Sequence, residues 1–271
     1  MNFIKEVFFL KIVKVAKKIV NINKNQKLIT LIIEYTLSNY FGMNIAYIKV
    51  RFPTGRRHPM KSLKIQAFTL GELKTNSYVI SDEESFCIII DPGENPFELM
   101  EYIGNRKVDY ILLTHCHYDH IAGVNLLKSK TDALVVAHQL EAEWLLDPDL
   151  NGSAKTNTPT ISEWPDILLI GDEWIQCGSL NIKAIHSPGH SPGSTCFLIN
   201  QSYLFTGDTL LAGVVGPTNL PFGDRELLKE SIKNKLFSLP GDFIIYPGHG
   251  GTTTLEFERN YNLMPNMKTF F

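Results

Sequence analysis

Thr114-His115-Cys116-His117-Tyr118-Asp119-His120 follows directly on the apolar run Val108–Leu113. A short apolar run closed by polar and turn residues reads as a buried strand. Here the strand ends in three histidines and an aspartate within seven positions. Rigid strands that carry reactive side chains on the loops at their ends are the usual way to build a site.

The same construction recurs downstream. Strand Asn181–Ile185 leads into His186-Ser187-Pro188-Gly189-His190, and strand Tyr203–Phe205 leads into Thr206-Gly207-Asp208. Strand Phe243–Tyr246 leads into Pro247-Gly248-His249-Gly250. If the four strands are neighbours, their ends converge on one rim. Neutral imidazoles and carboxylates suit zinc, iron or manganese. His115, His117 and His190 can form one three-nitrogen face. Asp119, His120 and His249 can form a second, with Asp208 between them, because a carboxylate can bind one cation through each oxygen. A lone histidine is usually structural, but five histidines and two aspartates at strand ends together point to metal. His138, which begins a helix, and His186, at a strand end, are read as structural. His58 has no partner in its neighbourhood.

Around these motifs the chain alternates strands and helices. Strands are expected at Leu63–Leu70, Ser77–Ser81, Phe86–Ile90, Val108–Leu113, Ala133–Ala137, Ile167–Ile170, Trp174–Ile175 and Ser194–Ile199, besides those named above. Helices are expected at Asn95–Tyr102, Ile121–Leu127, Gln139–Leu146, Glu226–Phe237 and Thr253–Asn262. Asp91-Pro92-Gly93 reads as a turn that ends the third strand. Asp147–Pro165 is the one long polar loop, of a length that often covers a site. Strands interleaved with helices indicate sheets with helices packed outside.

His115-x-His117-x-Asp119-His120, Ser187-Pro188-Gly189-His190, Thr206-Gly207-Asp208 and Gly248-His249-Gly250 together resemble the metallo-β-lactamase-fold superfamily. The resemblance is closest to short, single-domain hydrolases of the glyoxalase II (hydroxyacylglutathione hydrolase) type, and it covers Met60 to the C-terminus. It implies an α/β, four-layer αββα sandwich with a dinuclear site on one edge. It implies His115, His117 and His190 as ligands of a first metal. Asp119, His120 and His249 become ligands of a second, and Asp208 the bridge. The cofactor so implied is two divalent ions, Zn²⁺ first, with iron or manganese as alternatives. The implied activity is thioester hydrolysis by a metal-bound hydroxide that Asp119 orients, on S-lactoylglutathione or a related acyl-thiol. Asp208, where true β-lactamases often carry Cys, argues against β-lactam hydrolysis. Many relatives carry Gly-Arg-Thr-Asp where this chain has Gly216-Pro217-Thr218-Asn219. A glutathione-binding C-terminal helical domain, found in longer glyoxalase II enzymes, is not matched. A mononuclear-iron persulfide dioxygenase resembles the pattern too, with iron at the positions of His115, His190 and Asp208. A phosphodiesterase or nuclease of the same fold is a third reading.

Charge divides the chain. Of 271 residues, Met1–Pro59 holds 11 of the 26 Lys and Arg and 2 of the 28 Asp and Glu, a formal +9; the rest carries −11. An acidic catalytic part opposes nucleic acid as a partner, since phosphate binding wants Lys and Arg. The basic part is expected to be an extension outside the core, and Met60–Phe271 the hydrolase domain. Phe3, Ile4, Val7, Phe8, Leu10, Val13 and Val15 make a rough apolar helical face interrupted by lysines, a segment suited to touching an anionic surface. Arg51–Pro59 reads as an irregular link. No uncharged apolar run reaches the ~18 residues of a membrane span. The four cysteines, Cys87, Cys116, Cys177 and Cys196, contain no CxxC pair. With no secretory signal they are expected as reduced thiols in a cytoplasmic protein. Cys116, between two histidines, should point away from both.

Overall fold

The computed structural model describes the backbone of residues 32–40 and 43–51, and residues 63–81 and 87–264 in full. Strands β1 (Ile32–Tyr40) and β2 (Met43–Arg51) form an antiparallel hairpin, in register from Ile32 opposite Arg51 to Tyr40 opposite Met43. The basic segment was not expected to hold strands. The apolar helical face at Phe3–Val15 lies outside the described residues, as does the link after Arg51.

The first six-stranded sheet has the order β3 (Lys64–Leu70), β4 (Thr75–Ser81), β5 (Cys87–Ile90), β6 (Val108–Leu112), β7 (Leu134–His138) and β8 (Ile167–Leu169). Its first two pairings are antiparallel and its last three parallel. The second sheet runs β14 (Thr253–Thr254), β13 (Ile244–Pro247), β12 (Tyr203–Gly207), β11 (Thr195–Ile199), β10 (Leu180–His186) and β9 (Trp174–Cys177). Only β12 and β13 pair in parallel there.

Side-chain alternation builds the layers. In β5, Ile88 and Ile90 face the other sheet, while Cys87 and Ile89 face outward. The inter-sheet core joins Tyr78, Ile80, Tyr110, Leu112 and Val136 to Ile182, Ala184, Phe197 and Phe205. The outer face of the first sheet is covered by helices α1 (Phe97–Ile103), through Leu99 and Ile103, and α3 (Val124–Thr131), through Val124 and Leu127. The outer face of the second is covered by α5 (Arg225–Ser231) and a wider turn at Ile232–Leu236, through Leu228, Ile232 and Leu236, and by α6 (Leu255–Tyr261), through Leu255. Two sheets between two helical layers make the αββα sandwich expected from the resemblance. Short helices α2 (Tyr118–Ile121) and α4 (Pro148–Asn151) and a tight 3₁₀ helix at Gln139–Leu145 complete the described elements. The expected loop Asp147–Pro165 thus contains one turn of helix, capped by the Asp147 side chain on the Asp149 amide at 2.9 Å. Among the described residues, no helix is long and apolar enough to cross a membrane.

Candidate metal centre

The four histidine- and aspartate-bearing loops meet at one edge of the sandwich, but not because their strands are neighbours in one sheet. β6 lies in the first sheet and β10, β12 and β13 in the second. Hydrogen bonds between loops close the gap. Thr195 N–H donates to the Thr114 carbonyl (2.7 Å), and Asn76 N–H to the Gly248 carbonyl (2.7 Å). The Asn76 amide also donates to the carbonyls of Pro247 (3.1 Å) and Gly250 (2.8 Å), holding the His249 loop against β4. Gly248 is required by closeness: a Cβ there would stand 2.3 Å from Asp208 Oδ1.

Three clusters result. His115, His117 and His190 bring one nitrogen each within 4.8 Å of one another; so do the ligand atoms of His115, His120 and Asp208, and those of Asp119, His120 and His249. In the first, His190 Nε2 lies 3.0 Å from His117 Nδ1 and 3.2 Å from His115 Nε2. In the last, Asp119 Oδ2 lies 3.4 Å from His120 Nε2 and 3.3 Å from His249 Nε2. Asp208 stands between them: Oδ1 faces His120 Nε2 (3.7 Å), and Oδ2 faces His190 Nε2 (3.7 Å) and His249 Nε2 (3.6 Å). All seven residues singled out in the sequence are brought together.

The donor set fits cations. His120 Nε2 and Asp208 Oδ1 are buried without a hydrogen-bond partner. Such orphans are costly unless something else satisfies them. Three imidazole nitrogens, with His190 Nε2 at 3.0 and 3.2 Å from the other two, likewise need a shared electrophile or proton between them. Burial, then the charge its histidine neighbours would add, holds His115 well below the ordinary imidazole range. His117 is pushed down to about 3 by burial and His190. Burial also lowers His190, against the pull of Asp208. The first cluster therefore consists of neutral imidazoles, the form that ligates. In the other cluster, burial opposes charge on His120, but Asp119 and Asp208 outweigh it and raise the group to about 10. His249 is raised by its hydrogen bond to Asp119 and by Asp208, against burial. Asp119 sits well below the carboxylate range because His120, His249 and Thr75 outweigh its burial. That concentration of two carboxylates and two imidazoles is the electrostatic shape of a cation site.

Supporting residues around the ligands had no distinct signature in the sequence. Asp91, read only as a turn residue, is buried beneath both clusters. Its Oδ2 accepts the Nδ1 proton of His120 (3.0 Å) and the Thr114 hydroxyl (2.6 Å), and its Oδ1 the Thr114 amide (2.7 Å). Thr114 Oγ1 in turn lies 3.1 Å from His115 Nδ1. One carboxylate thus sets the tautomer of His120 directly and reaches His115 through a hydroxyl. The Thr75 hydroxyl donates to Asp119 Oδ2 at 2.7 Å. Glu141, fully buried, accepts the amides of Cys116 (2.7 Å) and Gly193 (2.6 Å), tying the first histidine loop to the His190 loop. Pro217, where relatives were expected to carry Arg, acts through its backbone: His190 Nδ1 donates to its carbonyl at 2.7 Å. That bond leaves His190 Nε2 bare toward the cluster and does not depend on the side chain at 217.

Cys116 points into the helix-side core beside Leu113 and Ile121 and not into the cluster. His138 and His186 lie apart from the ligand groups and stack on each other, ring centroids 4.0 Å apart and 12° from parallel. Trp144 and Phe222 add an aromatic flank, with the Trp144 ring 5.5 Å from that of His117.

A family profile described as the Metallo-beta-lactamase superfamily matches residues 70–249. The chain is 35% identical over 205 residues to "Probable metallo-hydrolase YqgX" of Bacillus subtilis, covering 74% of this chain and 96% of that protein. It is 31% identical over 219 residues to "Hydroxyacylglutathione hydrolase GloC" of Haemophilus influenzae, covering 76% and 100%. It is 34% identical over 198 residues to "Persulfide dioxygenase ETHE1, mitochondrial" of Bos taurus, covering 69% and 70%. Among solved structures, the BLEG-1 B3 metallo-beta-lactamase superposes with a TM-score of 0.71 at 35% identity, covering 76% of this chain and all of that one. TTHA1623 in a di-iron-bound form gives 0.62 at 33%, covering 73% and 98%.

Proposed function

This chain belongs to the metallo-β-lactamase superfamily, and from that premise we propose that it is a metal-dependent thioester hydrolase of glyoxalase II type, acting on S-lactoylglutathione or a related acyl-thiol. The observation that carries the reading is the pair of ligand clusters on either side of Asp208, with buried orphan atoms on His120 and Asp208 aimed into the space between. His115, His117 and His190 would hold one divalent ion, Asp119, His120 and His249 a second, and Asp208 would bridge them. Bound there, the cations would supply a hydroxide nucleophile at neutral pH and positive charge for the oxyanion and leaving thiolate.

The chain's own residues do the positioning. Thr75 fixes one oxygen of Asp119, so the carboxylate keeps a single orientation toward the nucleophile. Asp91 and Pro217 hold protons on the Nδ1 atoms of His120 and His190, keeping the inward nitrogens free. No side-chain nucleophile is called for, and Cys116 offers none. The 31% identity to GloC along the whole length of that protein supports the thioester substrate. The di-iron form of TTHA1623 keeps iron beside zinc as the metal.

Asp208→Ala should lower metal content and thioesterase activity together. An active, metal-replete variant would sink the assignment. The similarity to a persulfide dioxygenase and to a B3 metallo-β-lactamase places glutathione persulfide and a cephalosporin in the same substrate panel. We further infer that Met60–Phe271 is the catalytic domain, so a chain starting at Met60 folds and keeps full activity; its loss would assign the basic segment a working part.

A further inference from the structure

Phe222 combines three properties that rarely meet. It is a large apolar residue, it is 58% exposed, and its backbone sits at φ +66°. A bulky residue in the left-handed region is an outlier, because its Cβ crowds the adjoining carbonyl. Conformational strain of this kind collects at functional sites, where surrounding structure over-determines it.

The surroundings here do so. Residues 217–224 are pinned at both ends to the loop that carries His190. The His190 ring donates to the Pro217 carbonyl (2.7 Å), and the Asp224 amide donates to the Gly189 carbonyl (2.7 Å). Between the pins, the Gly223 amide closes a turn on Leu220 (3.0 Å). A Cβ at Gly223 would lie 2.5 Å from the Thr218 carbonyl oxygen, so the turn has no slack. Asp224 then caps α5 through the Leu227 amide (2.9 Å). Phe222 is therefore held in fixed relation to a residue of the metal cluster.

Its ring lies 5.5 Å from that of Trp144, and the Trp144 ring, 4% exposed, lies 5.5 Å from that of His117. The three rings lead from the ligand cluster to solvent. Trp144 is already covered, so the surface on offer belongs to Phe222. We propose that Phe222, seated on Trp144, is a specificity-determining residue that selects thioesters bearing an apolar arm long enough to reach it. The inference rests on the thioesterase reading. Phe222 is joined to His117 through Trp144, one ring contact beyond the ligand cluster, so the proposal assigns it to the arm of the substrate and not to a lactoyl group at the metal centre. A phenylacetyl or medium-chain acyl group, or an apolar thiol arm, is the kind of group this assignment calls for. The shared chemistry is an extended apolar group flanking the thioester carbonyl.

The test uses the full-length, metal-loaded protein and two substrate series. One varies the acyl group on glutathione (lactoyl, acetyl, phenylacetyl, octanoyl); the other varies the thiol of an acetyl thioester (glutathione, octanethiol). Covering the exposed ring face corresponds to a preference of about 5- to 10-fold in kcat/KM. That preference is expected in one series, which identifies the side of the carbonyl that Phe222 meets. Phe222→Gly should abolish the preference. Glycine also removes the positive-φ strain, so Tm should hold or rise. A readout independent of turnover is the Kd of S-octylglutathione, a non-hydrolysable thioether, by calorimetry, expected to weaken about 5- to 10-fold in the variant. Unchanged preferences and an unchanged Kd, with a lower Tm, would make Phe222 a packing residue and overturn the proposal. A wild-type protein that cleaves no thioester, yet loses thioether affinity in Phe222→Gly, would defeat the thioesterase reading while keeping the apolar-arm site. Thioester cleavage with no arm preference would do the reverse.

Discussion

Replacing Asp91 with Asn isolates the placement of the proton on His120. The buried carboxylate accepts three hydrogen bonds, from the Thr114 amide (2.7 Å), the Thr114 hydroxyl (2.6 Å) and His120 Nδ1 (3.0 Å). Asn keeps the shape, and it tolerates the φ of +49° at this position better than other substitutes. Its carbonyl can still accept the Thr114 amide. Its NH₂ then stands where Oδ2 was, facing the Thr114 hydroxyl and the His120 ring. The hydroxyl can rotate and accept. The ring has no such freedom. Either two N–H groups oppose each other, or the proton moves to Nε2, the atom 3.4 Å from Asp119 and 3.7 Å from Asp208. In that tautomer His120 no longer presents a lone pair to a cation. Loss of such an orienting partner weakens metal binding by about 10- to 100-fold, or roughly 1.4–2.8 kcal/mol. Chelator competition on the reconstituted protein would measure it, with circular dichroism checking the fold. The expected result is a folded Asp91→Asn protein that retains the ion of the His115 cluster and loses affinity for the other. Wild-type affinity at both positions would refute the tautomer argument.

Three further expectations follow the same logic. Thr75→Val removes the hydroxyl on Asp119 without changing shape; forfeiting a charge-assisted hydrogen bond of about 1.5–3 kcal/mol should cut kcat by about 10-fold or more at full metal content, and an unchanged kcat would count against Asp119 as the orienting group. His138, buried and next to His186 and Lys235, has its pKa pushed down to about 3. Between that value and the ordinary ~6.5 the unfolded chain binds the extra proton, so this contribution to stability is complete above ~6.5 and is lost as pH falls toward 3. His138→Gln should reduce the slope of unfolding free energy against pH in that window by up to about 1.4 kcal/mol per pH unit, as read by urea titration at several pH values; an unaltered slope would contradict the assignment. All four cysteines are buried, with Cys87 raised to about 12 and Cys196 to about 11 by burial and the other two also well up. Native protein at pH 8 should resist iodoacetamide and unfolded protein should take four labels, whereas rapid native labelling at Cys116 would end its reading as structural.

The ligands were legible because each announces itself locally. An apolar strand followed by His, Asp and Gly carries its own context, and the unbroken apolar run Cys87–Ile90 is what a strand covered on both faces looks like. What holds the ligands was not legible, because those contacts join positions far apart in sequence. Asp91 meets Thr114 and His120, 23 and 29 residues away, and Thr75 meets Asp119, 44 residues away. In sequence Asp91-Pro92-Gly93 carries only a turn signal, which is also true of it. β4 begins at Thr75, two residues before the strand expected at Ser77, and the two missed residues are the ones that touch the site. Pro217 looked like the loss of a functional side chain, yet the structure uses its carbonyl. Phe222 gave no sign, since a positive φ on a large residue has no periodicity to reveal it. The hairpin at β1 and β2 was passed over because the basic segment was read through its N-terminal helical face at Phe3–Val15, which lies before it.

The most direct test of the central claim, that these seven side chains form one dinuclear site, is the number of metal ions per chain in active protein after reconstitution. Two divalent ions per chain are expected, with S-lactoylglutathione cleavage rising in step with the second. A single iron per chain, at full activity and unaffected by Asp119→Ala or His249→Ala, would contradict it.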